Sequence, residues 1–364
     1  MPIETTDPDS RQQAAPARHI PSLDGIRAVS ILLVFCTHAG LAAYVPGDLG
    51  VTIFFFLSGF LITTLMRSEF ERNGSVNLQH FWLRRALRIL PPLYLVLLGA
   101  TVLALILYPP GTVCAPAMAA EALFYANYWG IYGVNCEAPG TGVVWSLAVE
   151  EHFYLLFPLI YIAMQKLRLT RQRQAWLLWG LCAVILIWRC VLVIALHANS
   201  TRIYLPTDTR IDSILFGCAL AVWNNPVLDK SRLPPRLWKY VLLPGALVVL
   251  LLSVAFQGEV FRNTWYFSIQ GAALTLIFIS AVRFHTWPLF RLLNYRPVAF
   301  IGVLSYSLYL IHFVLLRAAK QLWPEWQGSL RVLIALSASA LAAWAIFVLI
   351  ERPCARLRRK LTDY

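Results

Sequence analysis

Charged residues are scarce in this sequence, and their scarcity narrows the class of protein. Asp, Glu, Lys and Arg together make up 13% of the 364 residues, whereas hydrophobic residues make up 59%. Soluble domains carry roughly twice that share of charge. Apolar stretches recur from residue 28 to residue 350, so a soluble domain with a single anchor is excluded. The composition predicts an all-α, polytopic bundle of transmembrane helices in a lipid bilayer.

An apolar core is also missing from the N-terminal 20 residues, which carry Pro, Asp, Gln and Arg instead. We interpret residues 1–20 as a disordered cytoplasmic tail and not as a cleavable signal peptide. No low-complexity linker or internal repeat interrupts residues 21–354, which we assign to one membrane domain. Residues 355–364 are expected to be a basic cytoplasmic tail. We expect no further catalytic domain, so any chemistry takes place within the membrane bundle.

Ten apolar runs define the predicted spans, of which the sixth is too short to cross a bilayer unaided and is expected to be broken or tilted. Their approximate limits are 28–45, 49–66, 91–108, 147–164, 175–196, 211–223, 238–256, 265–282, 298–316 and 332–350. The net charge is +13, and most of the 31 Lys and Arg residues lie on the side of the N-terminus. This positive-inside pattern places both termini in the cytoplasm. The basic charge therefore reports topology, and we expect no nucleic-acid partner.

The longest outer segment, Pro109 to Val144, contains no Lys or Arg and holds Cys114 and Cys136. An oxidising compartment on that side would allow a disulfide between them, although the sequence does not give the distance between the two thiols. No pair of cysteines has the spacing of metal ligands, and we predict no metal site.

One arginine and one histidine stand in and beside the first apolar run. His38 follows Arg27 by eleven residues, about three helical turns, so both side chains share a face and lie roughly 16 Å apart along the axis. An ionisable side chain inside a span is costly to keep and marks a candidate functional site. The alternative is a polar residue satisfied by a neighbouring helix.

Three arginines precede the third span. Arg84, Arg85 and Arg88 are neighbours on a helix surface, so their guanidinium groups are expected to converge. Convergent arginines bind phosphate oxygens in planar forks; the alternative is a membrane-interface helix that contacts lipid headgroups. Because proline lacks a backbone N–H, Pro91 and Pro92 are expected to end this helix and to begin the third span.

Two adjacent glutamates lie near the outer start of the fourth predicted span. Glu150 and Glu151 follow Trp145 by five and six residues, roughly 8–10 Å into the membrane, which is a depth similar to that of His38. The two side chains point about 100° apart, so we expect one of them to face His38 and to orient its ring. The alternative is a cap near the helix N-terminus, where the helix dipole favours negative charge.

Further polar residues stand at the outer start of the sixth span, in the ninth span and just before the first. They are candidates for acceptor binding or for hydrogen bonds between helices, and a structural role is favoured. These residues are Asp24, Asp208, Arg210, Asp212, Ser305, Tyr306 and His312.

Taken in order, these segments resemble the acyltransferase-3 family of integral membrane O-acyltransferases over nearly the whole chain. Each motif alone is weakly specific, but the ordered set is specific. The segments are Ser22–Ala28 with His38, Gly50–Phe60, Phe81–Arg88, Trp145–Tyr154, Asp208–Gly217, Ser305–His312 and Glu351–Pro353. In this resemblance, Arg27 and His38 match the family's paired arginine and histidine. The arginines at 84, 85 and 88 match its arginine-rich segment.

The resemblance implies a multi-pass O-acetyltransferase of the bacterial cytoplasmic (inner) membrane. Its co-substrate would be acyl-CoA, by default acetyl-CoA, with no permanently bound cofactor. The acceptor would be an exopolysaccharide, a lipopolysaccharide O-antigen or a lipid-linked sugar. Some members carry a fused extracytoplasmic hydrolase-like domain, which we do not find in this sequence, so we expect direct transfer to the acceptor.

For the mechanism, we expect Arg27 and the three later arginines to hold the CoA phosphates. His38, with Glu150 or Glu151, would act as general base or form an acyl-histidine intermediate. One alternative is a proton-coupled transporter of a lipid-linked or small sugar. Another is a scaffold for polysaccharide-assembly proteins, which are also candidate partners.

Overall fold

Helices follow the apolar runs of the sequence. The structure, a computed structural model, describes residues 20–134, 136–231 and 233–362, and every regular element within them is helical. The all-α prediction is therefore confirmed. The first helices are α1 (Leu23–Cys36), α2 (Gly47–Asn73), α3 (Leu78–Leu107), α4 (Ala115–Ala122), α5 (Ala126–Tyr132), α6 (Trp145–Lys166), α7 (Arg171–Cys190), α8 (Ser200–Tyr204) and α9 (Thr207–Val222). The remaining helices are α10 (Pro235–Leu237), α11 (Leu243–Ala255), α12 (Glu259–Asn263), α13 (Tyr266–Arg283), α14 (Pro288–Arg291), α15 (Arg296–Leu322), α16 (Gly328–Ile346) and α17 (Arg352–Thr362).

The described residues contain nine helical segments long and apolar enough to cross a membrane. They correspond to nine of the ten predicted spans. The sixth predicted span is α9, whose 16 residues rise only about 24 Å. Short π-helical turns extend several of the long helices, as at Thr37–Leu41 after α1 and at Phe347–Glu351 after α16.

The short helix α9 lies in the interior of the bundle and packs against α2, α7 and α13. Glycines let α2 and α9 approach closely: a Cβ at Gly59 would lie 2.0 Å from the Ile214 carbonyl oxygen, and one at Gly217 would lie 2.1 Å from that of Phe56. Small residues allow such contacts between membrane helices. Because protein surrounds α9, it needs neither the length nor the apolar surface of a lipid-facing span.

The prediction that Pro91 and Pro92 end a helix is wrong, because α3 runs through both prolines. Prolines are tolerated within membrane helices when neighbouring groups bind the carbonyl oxygens that lose their partners. Pro91 and Pro92 remove the N–H donors of the Leu87 and Arg88 carbonyl oxygens. At the next position the Tyr306 hydroxyl donates to the carbonyl oxygen of Ile89, at 2.7 Å, and ties this part of α3 to α15. The arginine-rich segment and the third span are therefore one continuous helix.

The bundle has two chemically different ends. Cys114 and Cys136 form a disulfide at one, which we call the disulfide end, with Cα atoms 5.4 Å apart. The opposite end, the basic end, carries α17 and a loop whose Asp229 pairs with Arg67 of α2 at 2.5 Å. Burial alone would raise the pKa of Asp229, but the hydrogen bonds from Arg67 hold it below its ordinary value.

The structure describes much of the predicted C-terminal tail but little of the N-terminal one. The N-terminal tail lies outside the described residues except for Ile20. Much of the predicted C-terminal tail is helical, because α17 extends from Arg352 to Thr362 and packs against α3.

Candidate functional site

His38 lies where the first span departs from regular α-helical geometry. It stands in the π-helical turn Thr37–Leu41, and π-helical turns are frequent at functional sites. The hydroxyl oxygen of Thr37 lies 2.8 Å from the carbonyl oxygen of Val45, which fixes the turn against the start of α2. The ring of His38 stacks on Phe313 with centroids 4.3 Å apart. The imidazole is therefore held against α15.

The hydrogen-bond partner of His38 is a second histidine. Nδ1 of His38 lies 2.9 Å from Nε2 of His312, which is fully buried on α15. Nδ1 of His312 lies 2.8 Å from the carbonyl oxygen of Tyr309 and 3.1 Å from that of Leu308. We call His38 and His312 the histidine dyad.

The dyad's contacts assign its protons. Carbonyl oxygens only accept, so Nδ1 of His312 carries its hydrogen, and in a neutral imidazole Nε2 is then an acceptor. Nδ1 of His38 must donate to that acceptor. Nε2 of His38 is consequently left with an unprotonated lone pair, which is the state a general base or a nucleophile requires.

The expected pairing of His38 with Glu150 or Glu151 is wrong in the structure. Glu150 accepts a hydrogen bond of 2.8 Å from the Tyr154 hydroxyl and lines a cavity with several arginines. A buried carboxylate is stabilised by buried cations, which explains its orientation. Glu151 keeps one buried oxygen without a hydrogen-bond partner among the described residues. The carboxylate side of the predicted catalytic set therefore faces the arginines.

A cavity of about 180 Å³, the outer cavity, opens beside His38. Its walls include Asp48, Trp145 and Tyr204. A neighbouring cavity of about 360 Å³, the mouth cavity, shares Asp48 and Tyr204 with it. The other polar residues of the mouth cavity are Ser200, Gln257, Glu259, Arg262 and Asn263. His38 thus lines a cavity with polar and aromatic walls, and this cavity adjoins the mouth cavity at the disulfide end.

A narrower cavity of about 90 Å³, the central cavity, lies deeper in the bundle. Its polar lining combines Arg27, Arg85 and Arg88 with Glu150, and apolar side chains form most of the rest. Arg85 is only 9% exposed, and its Nε has no hydrogen-bond partner in the described part of the chain. Of the three arginines expected to converge, Arg85 and Arg88 line this cavity, and Arg27 of α1 lies beside them.

Arg84 does not join them. It forms an ion pair of 3.1 Å with Glu69 of α2, because residues 84 and 85 point about 100° apart on a helix. The predicted role of Arg84 in phosphate binding is corrected to a contact between α2 and α3.

A third cavity, the basic cavity, has a volume of about 510 Å³ and lies at the basic end. It is bounded by α1, α3, α15 and the C-terminal helix. Its ionisable lining residues are Asp24, Arg27, Arg88, Glu351, Arg352, Arg356, Arg358 and Arg359. Three of the arginines contributed by α17, at positions 356, 358 and 359, fall in the predicted C-terminal tail. Their signal was present as a spacing of four and then three residues, which places Arg352, Arg356 and Arg359 on one helix face.

Neighbouring cavities share lining residues from one end of the bundle to the other. The basic and central cavities share Arg27 and Arg88. The central and outer cavities share Val51 and Tyr309. The outer and mouth cavities share the two residues already named. Arg27 and His38 therefore belong to different cavities of one series, about three helical turns apart, with the central cavity between them.

The polar residues of α9 have structural partners. Asp212 pairs with Arg189 at 2.7 Å with both side chains fully buried, and Asp208 pairs with Arg202 at 2.6 Å. The guanidinium group of Arg210 lies among four aromatic rings, with the nearest centroid 3.6 Å away. These rings belong to Phe55, Trp145, Tyr204 and Phe267. These contacts hold α9 against its neighbours in the bundle, while Nε and Nη1 of Arg210 have no hydrogen-bond partner among the described residues.

The remaining predicted residues divide between the cavities. Asp24 forms an ion pair of 3.2 Å with Arg27 and lines the basic cavity. Ser305 and Tyr306 line the central cavity. His312, predicted as an acceptor-binding or structural residue, is the partner of His38.

Fold and site together define a polytopic helical membrane protein with polar cavities in series across its bundle and a histidine dyad beside one of them. Residues 20–350 match the family model Acyl_transf_3, described as an acyltransferase domain. The chain belongs to the acyltransferase-3 family.

Two curated relatives show the extent of the similarity. The chain is 30% identical over 352 residues to the peptidoglycan O-acetyltransferase OatA of Listeria monocytogenes, covering 92% of this chain and 56% of that protein. It is 30% identical over 367 residues to the O-acetyltransferase OatA of Staphylococcus aureus, covering 96% of this chain and 60% of that protein. The chain thus spans little more than half the length of these relatives. No solved structure matches it.

Proposed function

We propose that the chain is a membrane O-acetyltransferase that moves an acetyl group from acetyl-CoA to a hydroxyl of a carbohydrate outside the cytoplasm. Family membership and relatives named as O-acetyltransferases support the reaction class. One of these relatives is named for peptidoglycan, which supports a glycan as the acceptor. The donor, the acceptor and the bacterial cytoplasmic membrane as location are part of the proposal.

The series of cavities carries this proposal. Acetyl-CoA and an exported glycan are in different compartments, so an enzyme that joins them needs access from both ends of its bundle. The basic cavity lies at one end and the mouth cavity at the other. His38 lines the outer cavity, which shares lining residues with the mouth cavity and with the central cavity. The ring therefore lines a cavity that can receive substrate.

The two ends support a direction for the reaction. Basic loops remain in the cytoplasm under the positive-inside rule, and a disulfide is stable in an oxidising compartment. We therefore assign the basic end to the cytoplasm and the disulfide end to the outside. Acetyl-CoA then enters past Arg27 and Arg88, whose guanidinium groups suit its phosphates. The pantetheine arm extends through the central cavity, and the glycan approaches through the polar and aromatic mouth.

His38 acts as general base in this scheme. Its Nε2 takes the proton of the acceptor hydroxyl as the oxygen attacks the thioester carbonyl carbon. The C–S bond breaks, the new C–O ester forms, and the proton passes from His38 to the CoA thiolate. His312 accepts the hydrogen of Nδ1 and so keeps the reactive nitrogen unprotonated and correctly oriented. General base catalysis contributes about 10²–10⁴-fold to such reactions.

Replacing His38 tests the proposal. Membranes that contain His38→Gln should transfer at least about 100-fold less labelled acetyl group from acetyl-CoA to the polysaccharide fraction than wild-type membranes. His285→Gln is the matched control, because His285 is exposed at the basic end and should leave transfer unchanged. Full transfer by a normally inserted His38→Gln protein would contradict the assignment.

A further inference from the structure

The C-terminal helix places an arginine-rich surface over the basic cavity. The π-helical turn Phe347–Glu351 joins α16 to α17, and α17 packs against α3. Arg356 and Arg359 line the cavity from this helix. Because α3 also carries Arg85 and Arg88, the two helices bring basic residues from opposite ends of the sequence to one place.

The charges that line the basic cavity are strongly unequal. Six arginines line it with only two carboxylates. Asp24 pairs with Arg27, and Glu351 accepts a hydrogen bond from the Ser307 hydroxyl. Both carboxylates thus have partners within the protein. A cavity of about 510 Å³ with this excess of guanidinium groups is suited to a multiply charged anion.

The arginines lie in an order along the cavities that matches the order of the phosphate groups along CoA. Arg27 and Arg88 line both the basic and the central cavity, so they stand where a pantetheine arm would meet its diphosphate. Arg356 and Arg359 are exposed residues of the basic cavity and do not line the central one. In CoA, the ribose 3′-phosphate lies beyond the diphosphate, on the side away from the thioester.

We propose that Arg356 and Arg359 of α17 bind the ribose 3′-phosphate of the acyl-CoA donor at the mouth of the basic cavity. The inference rests on the proposed function, since it names the part of the donor that this helix recognises. An anionic lipid headgroup offers the same phosphate chemistry, and a basic helix at a membrane surface attracts such lipids. The experiment therefore has to separate the two sources of phosphate.

The test measures donor binding by the full-length protein in nanodiscs of phosphatidylcholine alone. Binding of CoA and of 3′-dephospho-CoA is measured by calorimetry for wild type and for the double variant Arg356→Gln/Arg359→Gln. Loss of two charge-assisted contacts should raise the Kd for CoA about tenfold or more. The Kd for 3′-dephospho-CoA should change by less than about twofold, because the ligand lacks the group in question.

The matched control is Arg173→Gln/Arg236→Gln. It removes the same charge from exposed positions at the basic end and should leave both Kd values unchanged. Thermal unfolding of each variant confirms that the protein remains folded.

Two results would overturn the inference and leave the proposed function standing. In one, the double variant binds CoA as tightly as wild type, or loses CoA and 3′-dephospho-CoA equally. In the other, the variant differs from wild type only in its retention of phosphatidylglycerol in mixed nanodiscs, which assigns α17 to a lipid headgroup. Failure of the wild-type protein to bind CoA at all would overturn the inference and the proposed function together.

Discussion

His312 provides a neutral hydrogen-bond acceptor for His38, where a carboxylate would provide a negatively charged one. In many enzymes a carboxylate orients the catalytic imidazole. In the proposed mechanism the buried imidazole of His312 takes this role, and the carbonyl oxygens of Leu308 and Tyr309 hold it in turn. The arrangement fixes the tautomer of His38 without burying a second ionised group, which would be expensive within a membrane.

Two substitutions at His312 test whether this residue orients the His38 ring or only fills space in the bundle. Gln can place an amide oxygen near the position of Nε2 and still accept from His38, whereas Leu fills space without an acceptor. We expect His312→Leu to lower kcat by about 10²–10⁴-fold, with little change in the KM for acetyl-CoA, because the reactive tautomer is no longer enforced. His312→Gln should recover a substantial part of kcat. Equal activities of the two variants, at equal thermal stability, would show that His312 only packs.

A buried carboxyl at the disulfide end gives the protein a pH dependence of its own. Burial raises the pKa of Glu121, on α4, to about 7. Between its ordinary pKa near 4.5 and pH 7, the unfolded chain loses this proton while the folded protein keeps it. Stability therefore decreases as the pH rises through this window, by up to about 1.4 kcal/mol per unit.

Glu121→Gln should remove this dependence. We expect the variant and wild type to unfold at similar temperatures near pH 4.5, and the variant to be more stable by several degrees at pH 8. The measurement is thermal unfolding in detergent across this range. Parallel curves for the two proteins would show that the carboxyl does not titrate in the window.

The sequence allowed His38 to be predicted because an ionisable residue in an apolar run is visible without a structure. Its partner could not be predicted in the same way, since His312 is 274 positions away and no local pattern joins the two. Glu150 and Glu151 were chosen as candidate partners by their depth alone. Depth does not give the rotation of a helix about its axis, and in the structure α6 turns Glu150 toward the cavity that Arg27, Arg85 and Arg88 also line.

At the scale of elements, the crossing of α2 and α9 depends on two glycines. We expect Gly59→Ala to separate the helices, because the added Cβ would meet the backbone carbonyl of Ile214 at 2.0 Å. Overpacking of this kind costs about 1–3 kcal/mol, which should lower the unfolding temperature by several degrees.

Gly99→Ala is the control for this change, since a Cβ on Gly99 of α3 would meet nothing within 4 Å. Alanine favours a helix over glycine, so the control should be as stable as wild type or slightly more stable. An unchanged unfolding temperature in Gly59→Ala would show that the two helices can move apart without loss.

Element positions were predicted well where hydropathy alone determines them. Nine spans and the short α9 follow the apolar runs in order. The prediction at Pro91 and Pro92 was wrong because it used the rule that proline ends helices in soluble proteins. There, water can bind the backbone groups of an interrupted helix. In the bundle, Tyr306 binds a carbonyl beside the interruption, and that contact depends on α15, which lies about 200 positions away.

At the scale of the whole molecule, the bundle holds the four named cavities, and each shares lining residues with the next. The central cavity, of about 90 Å³, has the smallest volume of the four and lies between the basic and the outer cavity. In the proposed function it holds the acyl-pantetheine arm of the donor. In the proposed function, the cavities at the two ends let the enzyme receive its donor and its acceptor from opposite sides.

This geometry predicts that acetyl transfer is sided. Acetyl-CoA does not cross a sealed bilayer, so inverted membrane vesicles, whose cytoplasmic face is outward, should label their own glycan acceptors when it is added outside. Sealed right-side-out vesicles should label their glycans at least about tenfold less, because the basic cavity then faces the lumen. Permeabilising these vesicles should restore acetyl transfer. Vesicles that contain His38→Gln should show the same loss of transfer as above, whether they are inverted, right-side-out or permeabilised. Equal labelling of sealed right-side-out vesicles would mean that donor and acceptor bind at the same face, and the path through the bundle would have no role in the reaction.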